Sequence, residues 1–149
     1  KSGFGHQSRI VTHFDPSLPP IQGHRDQLVQ VFLNLVKNAV EASPEQTAEV
    51  IMRSEYQHGV RFATPDSGDR LHLPIAISIT DNGSGITDDI MPHLFDPFVT
   101  SKPQGSGLGL ALVAKIIGDH GGVVECECAN SQTTFRVMLP ASQETAQKK

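Results

Sequence analysis

Residues 75–85 read Ile75-Ala76-Ile77-Ser78-Ile79-Thr80-Asp81-Asn82-Gly83-Ser84-Gly85, and they divide into two halves. Ile75, Ile77 and Ile79 alternate with Ala76, Ser78 and Thr80, the period-two pattern of a β-strand, so the strand delivers Asp81 at its C-terminal end. The glycines beyond it let backbone approach a ligand more closely than any Cβ would, and they permit the positive φ values of a tight turn. A second loop of the same character, Gly105-Ser106-Gly107-Leu108-Gly109-Leu110, runs into an apolar stretch that reads as a helix from Leu108 to His120, with Gly121-Gly122 as its stop. A helix that opens inside a glycine loop offers free N–H groups and a positive dipole end, which together form an anion site. An acid repels phosphate but accepts a hydrogen bond from an exocyclic amine such as that of adenine. The two loops therefore divide the work: base at Asp81, phosphates at the second loop. The plainer alternative for Gly105, Gly107 and Gly109 is a flexible loop with a close helix–sheet contact.

Upstream, Leu28, Val31, Phe32, Leu35, Val36, Ala39 and Val40 recur at three- and four-residue steps, the apolar stripe of an amphipathic helix. Asp26 suits its positive end, His24 falls in the N-cap region, and Ser43-Pro44 ends it. Asn34 and Asn38 stand one turn apart on this helix. Their amide carbonyls are hard oxygen ligands of the kind Mg²⁺ accepts beside phosphates and water, although either residue could equally be an ordinary surface amide. Further strands are expected over Arg9 to Phe14, Ala48 to Tyr56, Val123 to Cys128 and Thr134 to Leu139, with Asp15-Pro16-Ser17-Leu18-Pro19-Pro20 closing the first. Residues from His58 to Leu73 read as a hairpin-like surface excursion. Ile86 to Ser106, mixing prolines, glycines and charges with Phe95-Asp96-Pro97-Phe98, reads as a partly docked lid, few of whose residues reach the core. Lys102 lies where it could reach phosphates from that lid. The tail beyond Pro140 is polar and expected to fray.

Composition narrows the classes. With 149 residues the chain fits one domain, 1–149, able to bury roughly two thirds of its unfolded surface. A net charge of −4, 5% aromatic residues and no Trp argue against a nucleic-acid surface. No apolar run is long enough for a membrane span and no signal-peptide pattern opens the sequence. Cys126 and Cys128, two apart with no further ligand at metal spacing, fit a reduced, cytoplasmic protein.

Four boxes occur together and in order: Asn34 to Asn38 followed by Ala39; Asp81-x-Gly83-x-Gly85; Phe95-x-Pro97-Phe98; and Gly105-x-Gly107-Leu108-Gly109-Leu110. In this the chain resembles the catalytic and ATP-binding domain of two-component sensor histidine kinases, within the gyrase, Hsp90, histidine kinase and MutL superfamily. Asp15-Pro16-Ser17-Leu18-Pro19, the stretch Asp26-Gln27 to Asn38-Ala39 and the insertion before Asp81 further resemble the kinases of nitrogen regulation. The resemblance implies a two-layer α/β sandwich, a mixed sheet covered on one face by helices. It implies an ATP site in which Asp81 takes the adenine amine, Gly83, Gly85 and Ile86 shape the base pocket, and Lys102, Gly105, Gly107, Leu108, Gly109 and Leu110 attend the phosphates. Asn38 would hold Mg²⁺, with Asn34 beside it as the second catalytic amide. Thr133 shares strand parity with Phe135, Val137 and Leu139, hence an inward direction, and sits where these kinases carry an adenine-side threonine, although a β-branched core residue would fit the same place. The implied partners are a dimerisation domain bearing the phosphoacceptor histidine, an NtrC-like response regulator and a PII signal protein.

Departures from the pattern carry information as well. Glu41 and Ala42 stand where many sensor kinases have Lys and Tyr, so no phosphate contact is expected from that turn. The ATP-hydrolysing relatives carry a glutamate at the position of Asn34, and an amide cannot take a proton from water. None of His6, His13, His24, His58, His72, His93 or His120 has the setting of a phosphoacceptor, and His120 reads as a helix-end residue, where a partial positive charge meets the dipole. The expectation is a catalytic domain that holds ATP for a nucleophile on another domain. Two other readings remain: a nucleotide-binding interaction module whose lid docks a partner, and a gyrase- or Hsp90-like ATPase.

Overall fold

A computed structural model describes residues 9–42, 49–57, 61–63, 70–97 and 109–142. In chain order they form β1 (Arg9–His13), α1 (Arg25–Ala42), β2 (Glu49–Tyr56), β3 (Arg61–Ala63), β4 (Arg70–His72), β5 (Ile75–Asp81), a 3-10 turn at Met91–His93, α2 (Gly109–Asp119), β6 (Val123–Ala129) and β7 (Gln132–Leu139). Five strands make one sheet in the order β1-β2-β5-β7-β6. The β1–β2 pair is parallel and every other pair antiparallel, so the sheet is mixed. The expected surface excursion contains a separate antiparallel pair, β3 with β4.

Strand alternation and helix periodicity meet on one face of the sheet. Ile79 pairs with Phe135 and Phe135 with Cys126, while Ile77 pairs with Val137 and Val137 with Val124; these rows point to the same side. Against them pack Val31, Leu35, Val36 and Ala39 of α1 and Val113, Ile116 and Ile117 of α2, all buried. The opposite face has its own small cluster of Leu73, Ala76 and Met138. This is the α/β sandwich that the sequence leads one to expect. The helix stripe on α1 is as read, with Val29 and Leu33 left exposed on its other side.

Turn chemistry sets the register. Asn130 and Ser131 both take positive φ, 56° and 62°, which is the two-residue hairpin turn whose twist matches its flanking strands. α2 stops as its glycines predict: the Gly121 N–H bonds Gly118 O at 3.0 Å and the Gly122 N–H bonds Ile117 O at 2.9 Å, the paired bonds of a Schellman end.

Two expectations need correction. The first half of the lid is docked more fully than expected, with several residues on the core where few were expected: Leu94 is buried, and Ile86, Ile90, Met91 and Phe95 pack on the core, Phe95 meeting Phe135 edge-on at 6.1 Å. Apolar residues without helical or strand spacing still find the core when a 3-10 turn gathers them. His120 sits at the helix end as read, its Nδ1 2.8 Å from Ile116 O, and in addition its Nε2 accepts the His24 N–H at 3.0 Å. The start of the tail is also anchored, the Ser142 N–H bonding Pro20 O at 2.9 Å.

Candidate functional site

Asp81 ends β5 with its side chain buried, 2% exposed, at the edge of the core. Its Oδ1 accepts the Gly83 N–H at 2.8 Å. Burial pushes the carboxyl above its ordinary range, and the Gly83 hydrogen bond opposes that shift without cancelling it. A carboxylate held in such a place is an acceptor waiting for a donor. Asp81 pairs across the sheet with Thr133, itself 3% exposed, so acid and hydroxyl stand side by side on the helix-covered face.

The glycines have separate reasons. Gly85 has φ +89°, a left-handed conformation that a side chain rarely adopts, and a Cβ there would stand in ordinary contact with Thr133 Oγ1 and Cys128 Sγ, each 3.9 Å away. Gly83 is a packing residue: a Cβ there would run into the carbonyl oxygen of Ala42, at the end of α1. That contact brings the Asp81 loop against the last turn of α1. Asn34, Asn38 and Ala42 follow at four-residue steps, so the two half-buried asparagines share the helix face that ends at this loop. Asn82, to which the sequence reading gave no role, clamps the loop from the other side, its Oδ1 accepting the Glu49 N–H at 3.0 Å. Gly83→Ala is therefore expected to lower stability by at least about 1 kcal/mol through overpacking, as read by thermal melting of the free protein.

Gly109 opens α2, and Leu110 is half-buried against the core. Among the described residues no atom outside its own helix lies within 4 Å of the place of a Gly109 Cβ, so a close contact with the sheet is not what requires glycine there. Ile86 packs against the core beside the Asp81 loop. Lys102, Gly105, Gly107 and Leu108 lie outside the described residues. Asp81, Gly83, Gly85 and Thr133 thus form one cluster, with Asn34 and Asn38 on the adjoining helix. A separate cavity of about 470 Å³ lies between the start of α1 and the end of α2, beside His24 and His120, at the far end of α2 from Gly109.

No group of three His, Cys, Asp or Glu able to hold a metal occurs among the described residues. A divalent cation here would depend on amide oxygen and on ligands brought by a nucleotide, which suits Mg²⁺ in the company of phosphates. Residues 23–143 match the family described as histidine kinase-, DNA gyrase B- and HSP90-like ATPase.

The chain belongs to that family. Among its relatives, the sensory histidine kinase/phosphatase NtrB of Azospirillum brasilense is 56% identical over 144 residues, covering 97% of this chain. The chain spans 36% of that relative's length. Among solved structures, the catalytic domain of the histidine kinase ThkA superposes with a TM-score of 0.73 at 29% identity, covering 93% of this chain and 82% of the other. A structure of ThkA in complex with the response regulator TrrA superposes with a TM-score of 0.69 at 25% identity, covering 92% of this chain and 35% of that one. Among the described residues no helix is long and apolar enough to cross a membrane.

One participant was missed by sequence reasoning. Cys128 lies opposite Thr133, with its Sγ 3.7 Å from Thr133 Oγ1, at the rim of the cluster. The signal was the strand parity it shares with Thr133 once the Asn130-Ser131 turn is placed.

Proposed function

We propose that this chain binds Mg-ATP and presents the γ-phosphate to a histidine on a separate dimerisation domain, as the catalytic part of a cytoplasmic sensor kinase in nitrogen regulation. The observation that carries the reading is the buried Asp81, its carboxyl raised by burial and paired with Thr133 at the end of a central strand. Membership of the ATPase family and the likeness to NtrB support it.

In this reading Asp81 accepts the adenine amino group, Thr133 adds a hydroxyl beside it, and Gly85 leaves room for the ring. The start of α2, with Gly109 and Leu110, faces the phosphates with its N–H groups. Lys102, Gly105, Gly107 and Leu108 would complete that cradle. Mg²⁺, when bound, neutralises phosphate charge and fixes its geometry; the Asn38 amide oxygen would hold it, with Asn34 alongside. Catalysis then rests on positioning and electrostatics rather than on a general base. An amide at Asn34 cannot activate water, which favours transfer to another nucleophile over hydrolysis. The response regulator bound to ThkA supports an NtrC-like regulator as the next phosphate acceptor, and the NtrB likeness supports a PII protein as a regulatory partner.

Nucleotide selectivity tests the assignment. Guanine presents a carbonyl where adenine presents its amine, so GTP would set two acceptors face to face, at a cost of about 1–3 kcal/mol or more. Calorimetric titration should show ATP and ADP binding and GTP at least about tenfold weaker. Equal affinities would remove Asp81 from the base site.

A further inference from the structure

Sheet register carries a reactive group to the site that the proposed chemistry does not use. Asp81 pairs with Thr133, and Thr133 with Cys128, so the three form one cross-strand row on the helix-covered face. β6 is an edge strand, which makes Cys128 the outer end of that row, and its side chain is exposed. Its Sγ stands 3.7 Å from Thr133 Oγ1 and 3.9 Å from the place of a Cβ at Gly85, in line with the buried hydroxyl and carboxylate. Cys126 lies one row inward, opposite Phe135 and packed on the core. Burial, then the neighbouring Cys128 and Asp81, push the Cys126 thiol up to about 12, so it stays protonated and poor as a nucleophile. The two thiols are thus unequal by position.

We propose that Cys128 is a thiol-modification site on the rim of the nucleotide pocket, where a low-molecular-weight disulfide forms a mixed disulfide that excludes adenine nucleotides. The inference rests on the nucleotide reading of Asp81 and Thr133. The Cys128 thiolate attacks one sulfur of the incoming disulfide, the original S–S bond breaks as the new one forms, and the departing half leaves as a thiolate. That thiolate takes up the proton Cys128 released, and the disulfide is the oxidant. The added group then stands over Gly85 and Thr133, where the base would enter. A thiol reductant reverses the step, so the device is a lock rather than a lesion.

Glutathione disulfide is the probe, with intact-mass analysis, peptide mapping and ATP titration as readouts. One adduct is expected, on Cys128 and not on Cys126, and Mg-ATP at about ten times its dissociation constant should slow its formation by about tenfold. The modified protein should bind ATP at least about tenfold more weakly, with dithiothreitol restoring the affinity. Cys128→Ser, whatever its own affinity, should show the same ATP affinity before and after treatment, whereas Cys126→Ser should remain as sensitive as the parent. An adduct on Cys128 that leaves ATP affinity unchanged, or modification that goes to Cys126, overturns the proposal while the nucleotide reading stands. Failure of the untreated protein to bind ATP overturns both.

Discussion

Asn38→Ala is expected to lower phosphate transfer to a separately supplied histidine domain by at least about a hundredfold, the scale of losing a residue that fixes a catalytic metal. Asn38 is half-buried on α1 and lies outside the buried stripe of Val31, Leu35, Val36 and Ala39. Its removal should therefore cost little packing, and the melting temperature should fall by no more than a few degrees. ATP affinity measured without Mg²⁺ should change little, since the side chain acts through the metal. Undiminished transfer by the variant, in a protein shown to bind Mg-ATP, would take Asn38 out of the site. Transfer lost together with the fold would make it a structural residue instead.

Asp81→Asn should move stability and binding in opposite directions. Asp81 Oδ1 already accepts the Gly83 N–H, so the adenine amine needs the other carboxylate oxygen. An amide can satisfy one of these donors but turns its NH₂ toward the second, and it gives up the charge assistance as well. The expected loss is about 1–3 kcal/mol, roughly five- to 150-fold in ATP affinity by titration calorimetry. The free protein responds the other way. Burial raises the folded carboxyl above its ordinary 3.8, so this group favours the fold most below that value, and the benefit is lost as pH rises through the raised folded value. At neutral pH the buried charge is a cost that the variant does not carry. Thermal melting without nucleotide should show Asp81→Asn more stable than the parent at pH 7, with the advantage shrinking as pH falls toward 4. A variant less stable at pH 7 and unchanged in ATP affinity would contradict both halves.

These opposed effects bear on how much the sequence could reveal. The strand that carries Asp81 was legible because Ile75, Ile77 and Ile79 keep a strict period of two and the glycines mark its end. α1 was legible because its apolar residues keep helical spacing, and the end of α2 because Gly121 and Gly122 admit few other geometries. The inward direction of Thr133 followed from parity, and its candidacy for the site from the resemblance. What escaped has no local period. Ile86, Ile90, Met91, Leu94 and Phe95 dock through a 3-10 turn, and their burial is decided by the shape of the core they meet. The Asn130-Ser131 turn contains no glycine, so the register that sets Cys128 beside Thr133 was hidden. The tie between His120 and the His24 N–H was hidden because the two stand 96 residues apart in the chain. The packing role of Gly83 escaped for the same reason. Its neighbour is a backbone carbonyl on α1, and sequence spacing does not show such a contact.

The most direct test of the account follows the γ-phosphate. The chain is incubated with γ-labelled ATP and Mg²⁺, alone and together with a dimerisation domain bearing the phosphoacceptor histidine, and both protein label and free phosphate are measured over time. The expected result is slow hydrolysis and no label on this chain alone, with acid-labile label accumulating on the histidine domain when the two are combined, and with none when Asn38→Ala replaces the parent. Brisk release of phosphate by this chain alone, with no label reaching the added domain, would contradict the account and make the chain a hydrolase.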